Sequence, residues 1–428
     1  MHLKSIGLAS VFAFWCLAYG SNQAQCEKPN IVLIMADDIA YDNIGCYGST
    51  HFQTPTLDKL AKTGIRFTHC YSEPVCTSSR VKIMTGRDNI RNYTQFGKLD
   101  PNEKTFGSML QQAGYRTAIA GKWQLHGNGG ALAPDCGFDT YCLWNYPGTS
   151  RNRYWNPSLI EDGVAVEVTE DSYGPDICTD FLIDFIAAKS DQPFFAYYPM
   201  LSVHGPFLPT PDSKNRNHKD AGDNYRDMVR YMDKCVGRIV NALEESDQRE
   251  NTIVIFTSDN GTGRSLEYPY QGEIRKGEKA WPTDGGCHAP LIINSPGRVA
   301  AGVETSDIVD FSDVLPTLAD IADANLPDVT LDGRSFWPQC VGQKGKPRDW
   351  IFQYYYPKFK DAAKKHGKGK PYIIWAQDQN YKLYSHGKFI EVADRHELRN
   401  IPLGTGSVSA EATRIKLQTA INSMPRKD

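Results

Sequence analysis

At 428 residues, the chain is too long for one minimal domain and suits one large α/β domain with a smaller one attached. Apolar residues make up 40 %, and 47 basic residues nearly balance 50 acidic ones for a formal net charge of −3. This composition indicates a globular protein with a sizeable core and argues against nucleic-acid binding or a polybasic membrane surface.

The N-terminus differs from the rest. Lys4 is the only formal charge before an apolar run from Ile6 to Tyr19. Ala18-Tyr19-Gly20 then offers small residues at signal-peptidase spacing, with Asn22-Gln23-Ala24 as a second site. Residues 1–20 are expected to be a cleaved signal peptide; an uncleaved anchor is the alternative, although the run is short for a membrane span. Export to the periplasm, the outside or, in a eukaryote, the lysosome follows. No later stretch reads as transmembrane.

The continuous apolar run Ile31 to Met35 predicts a strand buried on both faces. Pro55 to Gly64 reads as a helix, with Leu57, Leu60 and Ala61 at helical spacing. Arg80 to Met84 reads as helical, ending at Gly86, and Thr105 to Gly114 as a further helix. Strands are predicted at Arg116 to Ala120, Phe194 to Tyr198, Thr252 to Thr257 and Leu291 to Ile293, and helices at Pro175 to Ala188 and Asn224 to Glu245. Such alternation predicts a mostly parallel sheet sandwiched by helices. After Gly333 the pattern shifts to short antiparallel strands: Trp350 to Tyr356, Tyr372 to Ala376, Lys382 to Tyr384 and Phe389 to Val392. A helix over Ala410 to Ile421 would pack on them. The expected division is a catalytic domain over 27–333 and a small α+β C-terminal domain over 334–428. Lys358 to Lys370, rich in Lys and Gly, is a solvated loop or a rim for an anionic substrate. An oxidising compartment would permit disulfides among the 11 cysteines, such as Cys136 with Cys142.

The chemistry gathers where core strands end. The first run ends in Asp37-Asp38, the run ending at Ala120 leads to Gly121-Lys122, Phe194 to Tyr198 leads to His204, and Thr252 to Thr257 leads to Asp259-Asn260-Gly261. Ligands in open α/β sheets bind outside the carboxyl ends of strands, so four such clusters point to one site. Asp37, Asp38, Asp259 and Asn260 are hard oxygen ligands that suit Ca²⁺ better than Mg²⁺ or zinc. Cys76 stands at the start of a helical segment, where positive potential favours a developing anion, and Arg80 adds a fixed charge one turn on. A thiolate is a soft neighbour for a hard cation, which hints that the functional atom at position 76 is oxygen.

These residues resemble the formylglycine-dependent sulfatases of the alkaline-phosphatase superfamily. Cys76-Thr77-Ser78-Ser79-Arg80 is similar to the C-x-P-S-R modification signature, Ala120-Gly121-Lys122-Trp123 to the lysine motif and Ser202-Val203-His204-Gly205-Pro206 to the histidine motif. Lys28-Pro29-Asn30 through Asp37-Asp38 resembles the opening, and Thr257-Ser258-Asp259-Asn260-Gly261 the second metal motif. Lys279 to Gly286 resembles K-x₄-E-G-G, and Phe389 to Asp394 the C-terminal hairpin. The resemblance implies an alkaline-phosphatase-like fold and a sulfuric ester hydrolase. It implies that a maturation enzyme oxidises Cys76 to formylglycine, whose hydrate attacks sulfur beside one Ca²⁺ held by Asp37, Asp38, residue 76, Asp259 and Asn260. Arg80, Lys122 and Lys279 would neutralise the sulfate oxygens, and His204 or Lys279 would protonate the leaving alcohol. The substrate would be a sulfated small molecule or polysaccharide.

The chain departs from the pattern at Ser78, where Pro is usual, at Gln124, where many relatives have a His touching the formylglycine hydrate, at Asp284 for Glu and at His288 for Arg. Gln124 can donate a hydrogen bond but cannot shuttle a proton, and His126 is the candidate to compensate. Tyr141 to Trp155, which holds Trp144, Tyr146, Tyr154 and Trp155 with Arg151 and Arg153, is either a sugar-binding surface or core packing. Two rival readings are a phosphoester hydrolase of the same superfamily and a catalytically silent sulfated-glycan-binding homologue.

Overall fold

A computed structural model of the protein describes residues 28–356, 371–393 and 396–425. The expected signal peptide, Cys16, Cys26, the Lys358 to Lys370 segment and Asp394 lie outside the described residues. The first domain is built on ten strands: β1 (Asn30–Ala36), β2 (Ile65–Tyr71), β3 (Arg116–Lys122), β4 (Thr140–Trp144), β5 (Ile160–Glu161), β6 (Val164–Ala165), β7 (Phe194–Pro199), β8 (Thr252–Ser258), β11 (His288–Asn294) and β12 (Val303–Asp310). Between the last of these and β8 lies a separate hairpin, β9 (Glu267–Tyr270) and β10 (Glu273–Lys276). The sheet order is β12-β2-β11-β8-β1-β7-β3-β4-β5-β6. From β8 through β4 the neighbours are parallel, and β11 is inserted antiparallel between β8 and β2.

Side-chain alternation along β1 shows why the sheet needs two covers. Ile31, Leu33 and Met35 enter one core with Val81, Met84, Leu110 and Leu318. Val32, Ile34 and Ala36 enter the other with Leu57, Leu182, Met232 and Ile239. All seven β1 residues are buried, as expected of a central strand covered on both faces. Helices Cys76–Thr85, Phe106–Gln112 and Val314–Ala322 cover the first face; Pro55–Lys62, Gly174–Ala187 and Ala221–Glu245 cover the second. The predicted mostly parallel sheet sandwiched by helices is the observed one.

The second sheet is antiparallel, in the order β13 (Ile351–Tyr355), β14 (Ile373–Gln377), β15 (Tyr381–Tyr384), β16 (Phe389–Ala393) and β17 (His396–Asn400). Helix Val408–Ser423 packs on it through Ala410, Leu417 and Ala420. Phe336 and Cys340, which precede this sheet, pack into the first core.

The Cys136–Cys142 disulfide that an oxidising compartment would permit is not formed. All nine cysteines among the described residues are free. Cys136 belongs to one face of the large sheet and Cys142 to the other, so the sheet itself separates them. The described residues include no helix long and apolar enough to cross a membrane.

Candidate active site

Four strand ends meet at the carboxyl edge of the sheet. β1 delivers Asp37 and Asp38, β3 ends on Lys122, β7 leads to His204, and β8 leads to Asp259 and Asn260. The backbone ties these exits together: Asp37 N–H donates to Ser202 O at 2.9 Å, Val203 N–H to Asp37 O at 2.7 Å and Asp259 N–H to Ala36 O at 3.0 Å. Gly121 makes the β3 exit feasible. Its φ is +121°, and a side chain there would collide with the Pro199 carbonyl.

Cys76 is the first residue of helix Cys76–Thr85, whose ten residues are all buried despite six polar or charged side chains. No side chain caps Val75; instead the Ser78 and Ser79 hydroxyls bond back to Val75 O at 2.9 and 3.1 Å. Position 78 lies in the first turn, where the backbone N–H has no intrahelical partner, so Ser and Pro are both compatible with this geometry. At the other end Gly86 adopts a left-handed conformation and donates to Lys82 O, a glycine stop. Cys76 is 2 % exposed and lies within electrostatic reach of Arg80 and Lys279.

Asp37, Asp38 and Asp259 offer oxygens that lie within 4.8 Å of one another. Cations surround them. Lys122 Nζ donates to both Asp37 oxygens at 2.8 and 2.9 Å, and Arg80 donates to Asp259 Oδ2 at 3.0 Å and to Lys122 O at 3.0 Å. Lys279 donates to both Asp38 oxygens at 2.6 Å, while Asn260 Nδ2 donates to Asp38 Oδ1 at 2.9 Å. Burial opposes ionisation of Asp37, but Lys122, His204, Arg153 and Arg80 hold its carboxyl well below the usual range. Burial also opposes ionisation of Asp38, and His204 and Lys279 bring it down. Asp259 goes the other way: burial and repulsion from Asp37 push it up to about 7. His204 Nδ1 lies 2.7 Å from Gly205 O, which makes Nδ1 the donor and leaves Nε2 facing Asp38 at 3.7 Å. Burial lowers this histidine to about 4 against the pull of Asp38 and Asp37.

Every strand-end candidate therefore arrives at one place. Gln124 stands two residues beyond Lys122 with φ +61° and a buried Oε1 that has no partner. His126 is set apart: its loop pairs with Lys98, its ring packs near Tyr146, and burial lowers its pKa. Non-glycine residues in left-handed conformation recur here, at Asp38, Gln124 and Ala280, a strain of the order of 1 kcal/mol each that surrounding contacts must hold.

Arg153 is the residue that motif spacing misses. It donates to Asp37 Oδ2 at 3.0 Å, with its guanidinium 3.9 Å from the Trp144 ring. It comes from the aromatic stretch for which two roles stood open, and core packing is the one its buried aromatics fill. Trp144, Tyr146 and Tyr154 are buried, and Tyr154 hydroxyl donates to Leu201 O at 3.0 Å on the loop that bears His204. With Arg153, four permanent cations face three carboxylates. Such a surplus favours an anionic ligand even before a metal is counted.

The sulfatase family model matches residues 29–324, and that of the C-terminal region of N-sulphoglucosamine sulphohydrolase matches residues 272–424. Arylsulfatase A of Homo sapiens is 32 % identical over 385 residues, covering 81 % of this chain and 74 % of that one. N-acetylglucosamine-6-O-sulfatase of Bacteroides thetaiotaomicron is 25 % identical over 493 residues, covering 92 % and 85 %. The fold is similar to that of Ps i-CgsB, solved in complex with k-i-k-neocarrahexaose, with a TM-score of 0.75, 24 % identity and 92 % of each chain covered. By the length and order of these matches the chain belongs to the sulfatase family, and it is a sulfuric ester hydrolase.

Proposed function

We propose that the protein hydrolyses the sulfate ester of a sulfated carbohydrate or aryl alcohol, with Cys76 converted to formylglycine and Ca²⁺ held beside it. The observation that carries this reading is Cys76 at a helix start, flanked by Arg80 and Lys279 and set against three clustered carboxylates. The thiol stands here for the oxygens of a hydrated aldehyde, which would supply the nucleophile.

The donor set fits a hard cation. Asp37, Asp38, Asp259 and Asn260 offer only oxygen, and Asn260 Oδ1 is buried with no partner. These four, with residue 76, would hold Ca²⁺, which would add positive charge at the sulfate oxygens. The chain's own residues do the rest. Arg80, Lys122 and Lys279 bind and orient the sulfate and neutralise its oxygens. Lys279 Nζ holds a proton at the leaving-group side, and His204 Nε2, fixed by its Nδ1–H to Gly205, is placed to receive or return one. The unpartnered Gln124 Oε1 accepts from a hydroxyl of the hydrate or the substrate.

The test is mass spectrometry of the tryptic peptide Phe67 to Arg80, paired with release of sulfate from p-nitrophenyl sulfate. An aldehyde at residue 76, with sulfate released and p-nitrophenyl phosphate left intact, is the expected outcome. Unmodified cysteine with full activity, or full activity in Cys76→Ala, would overturn the mechanism. Unmodified cysteine with saccharide binding but no turnover would favour the silent homologue.

A further inference from the structure

A cavity of about 790 Å³ opens beside the catalytic lysine and is not used by the chemistry described above. Three parts of the chain line it: the exit loop of β8 through Arg264, the Lys279 loop through Glu278 and Trp281, and the second sheet through Lys388 and Glu397. Its inner end is close to the reacting centre. Lys279 N–H donates to Thr262 O at 3.0 Å, two residues before Arg264. The Tyr355 hydroxyl donates to Ala280 O at 3.1 Å, and this phenol senses both Cys76 and Arg264. Gly263, next to Arg264 in the chain, faces Phe207 on the loop that carries His204.

The charges in the cavity are unevenly satisfied. Glu397 is occupied by Lys382 at 3.1 Å and by the Tyr384 hydroxyl at 3.0 Å. Glu278 accepts from the Thr283 hydroxyl at 2.5 Å, and burial raises its pKa. Among the described residues the side chains of Arg264 and Lys388 make no hydrogen bond or ion pair, although the Lys388 charge helps to hold the Glu397 carboxyl down. Arg264 lies 5.7 Å from the Trp281 ring and Lys388 5.8 Å from the Tyr384 ring. The two cations without a hydrogen-bonding partner thus stand beside aromatic rings, a combination that suits a sugar ring carrying an anion.

We propose that this cavity binds the leaving-group side of the substrate, and that Arg264 and Lys388, with Trp281, select a saccharide bearing a second anionic group besides the ester that is cut. This rests on the sulfatase reading and specifies its substrate. The second anion is a carboxylate or another sulfate, both of which an arginine–lysine pair accepts.

Steady-state kinetics on four substrates tests it: p-nitrophenyl sulfate, and one saccharide sulfate whose second group is hydroxyl, carboxylate or sulfate. The wild-type enzyme should favour the dianionic members over the hydroxyl member by about tenfold in kcat/KM, and added salt should erode that preference. Arg264→Ala and Lys388→Ala should each remove most of it through KM, with p-nitrophenyl sulfate changed less than about twofold and Arg264→Lys intermediate. Which dianionic member leads identifies the second anion. Equal kcat/KM for hydroxyl and dianionic members, or equal losses on p-nitrophenyl sulfate, would overturn the proposal. If wild-type protein releases no sulfate from any member, the sulfatase reading fails instead. Calorimetric titration with the same saccharides then decides the cavity's preference: tighter binding of the dianionic members supports it, and equal binding overturns it.

Discussion

Asp284 and His288 depart from the sulfatase pattern together, and the structure shows what joins them. They lie one helical turn apart, with His288 Nδ1 2.8 Å from Asp284 Oδ2 and His288 Nε2 2.7 Å from Thr68 O. Gln377, from the second sheet, donates to the other carboxylate oxygen at 2.7 Å. Taken one at a time in the sequence, the two replacements have no partner; the pair forms only because the 284–287 turn feeds directly into β11. Burial alone would raise the Asp284 carboxyl, but the charge and hydrogen bond of His288, then Gln377 and Lys382, bring it down to about 2. A folded value below the unfolded one of 3.8 means that folding is helped while the group is ionised in both states. That help is present above about pH 4 and fades as the pH falls towards about 2. Asp284→Asn should therefore cost about 2 kcal/mol near neutrality, with the gap to wild type narrowing by about pH 3. Urea unfolding at both pH values measures this; a pH-independent gap would show that the ion pair is not the source. Arg153 teaches the same lesson from the opposite side. Its partner Asp37 is 116 positions away, and no local pattern links an arginine in an aromatic stretch to an aspartate after β1.

At the scale of the element, helix Cys76–Thr85 places Cys76 by burying charge along its length. Lys82 Nζ contacts Asp310 at 2.8 Å, Asp88 at 3.1 Å and Glu73 at 3.2 Å, and donates to Phe352 O of β13 at 3.2 Å. One ammonium among three buried carboxylates leaves at least one acid better off protonated. Burial pushes Glu73 up against the pull of Lys82, and repulsion from Asp310 and Asp88 adds to it, so the group reaches about 8. Its Oε2 has no partner. Between its unfolded value of 4.5 and about 8, the unfolded chain releases this proton and the folded chain keeps it, so stability falls as pH rises. Glu73→Gln removes the titration. It should match wild type near pH 5 and exceed it by a few kcal/mol, in order of magnitude, near pH 9. Thermal unfolding at the two pH values checks this, and a variant destabilised at both would mean that Glu73 is ionised in the fold. The end of this helix is legible in the sequence because Gly86 stops it, whereas the helix begins at Cys76, a turn before the Arg80 to Met84 run read from the sequence. Strands β2 and β12 are not legible. Ile65–Tyr71 interleaves Arg66, Thr68 and His69 among apolar residues, and the first five residues of Val303–Asp310 are not fully buried, so neither shows a continuous apolar run. Their pairing with β11 and with each other places them in the sheet.

For the whole molecule, the legible part is the central one. β1, β3, β7 and β8 are buried on both faces and read as apolar runs, and polar residues at their ends stand out for that reason. Convergence of these ends needs only parallel strands in one sheet. The long cavity beside Lys279 is not legible, because it forms between segments more than a hundred positions apart. Since the carboxylate cluster joins β1 to β8, a chelator should act on stability as well as activity. EGTA should abolish sulfate release and lower the unfolding temperature, and Ca²⁺ should restore both. Recovery with Zn²⁺ alone would contradict an oxygen-only site. The unpaired cysteines have a consequence of another kind. Eight of the nine described thiols are buried, and only Cys46 is partly exposed. Among the described residues the fold is held by packing with no disulfide. In denaturant each of these nine thiols is open to a thiol reagent, and the proposed conversion of Cys76 would remove a single equivalent. A simple thiol titration in denaturant thus becomes a gauge of how completely a preparation has been activated.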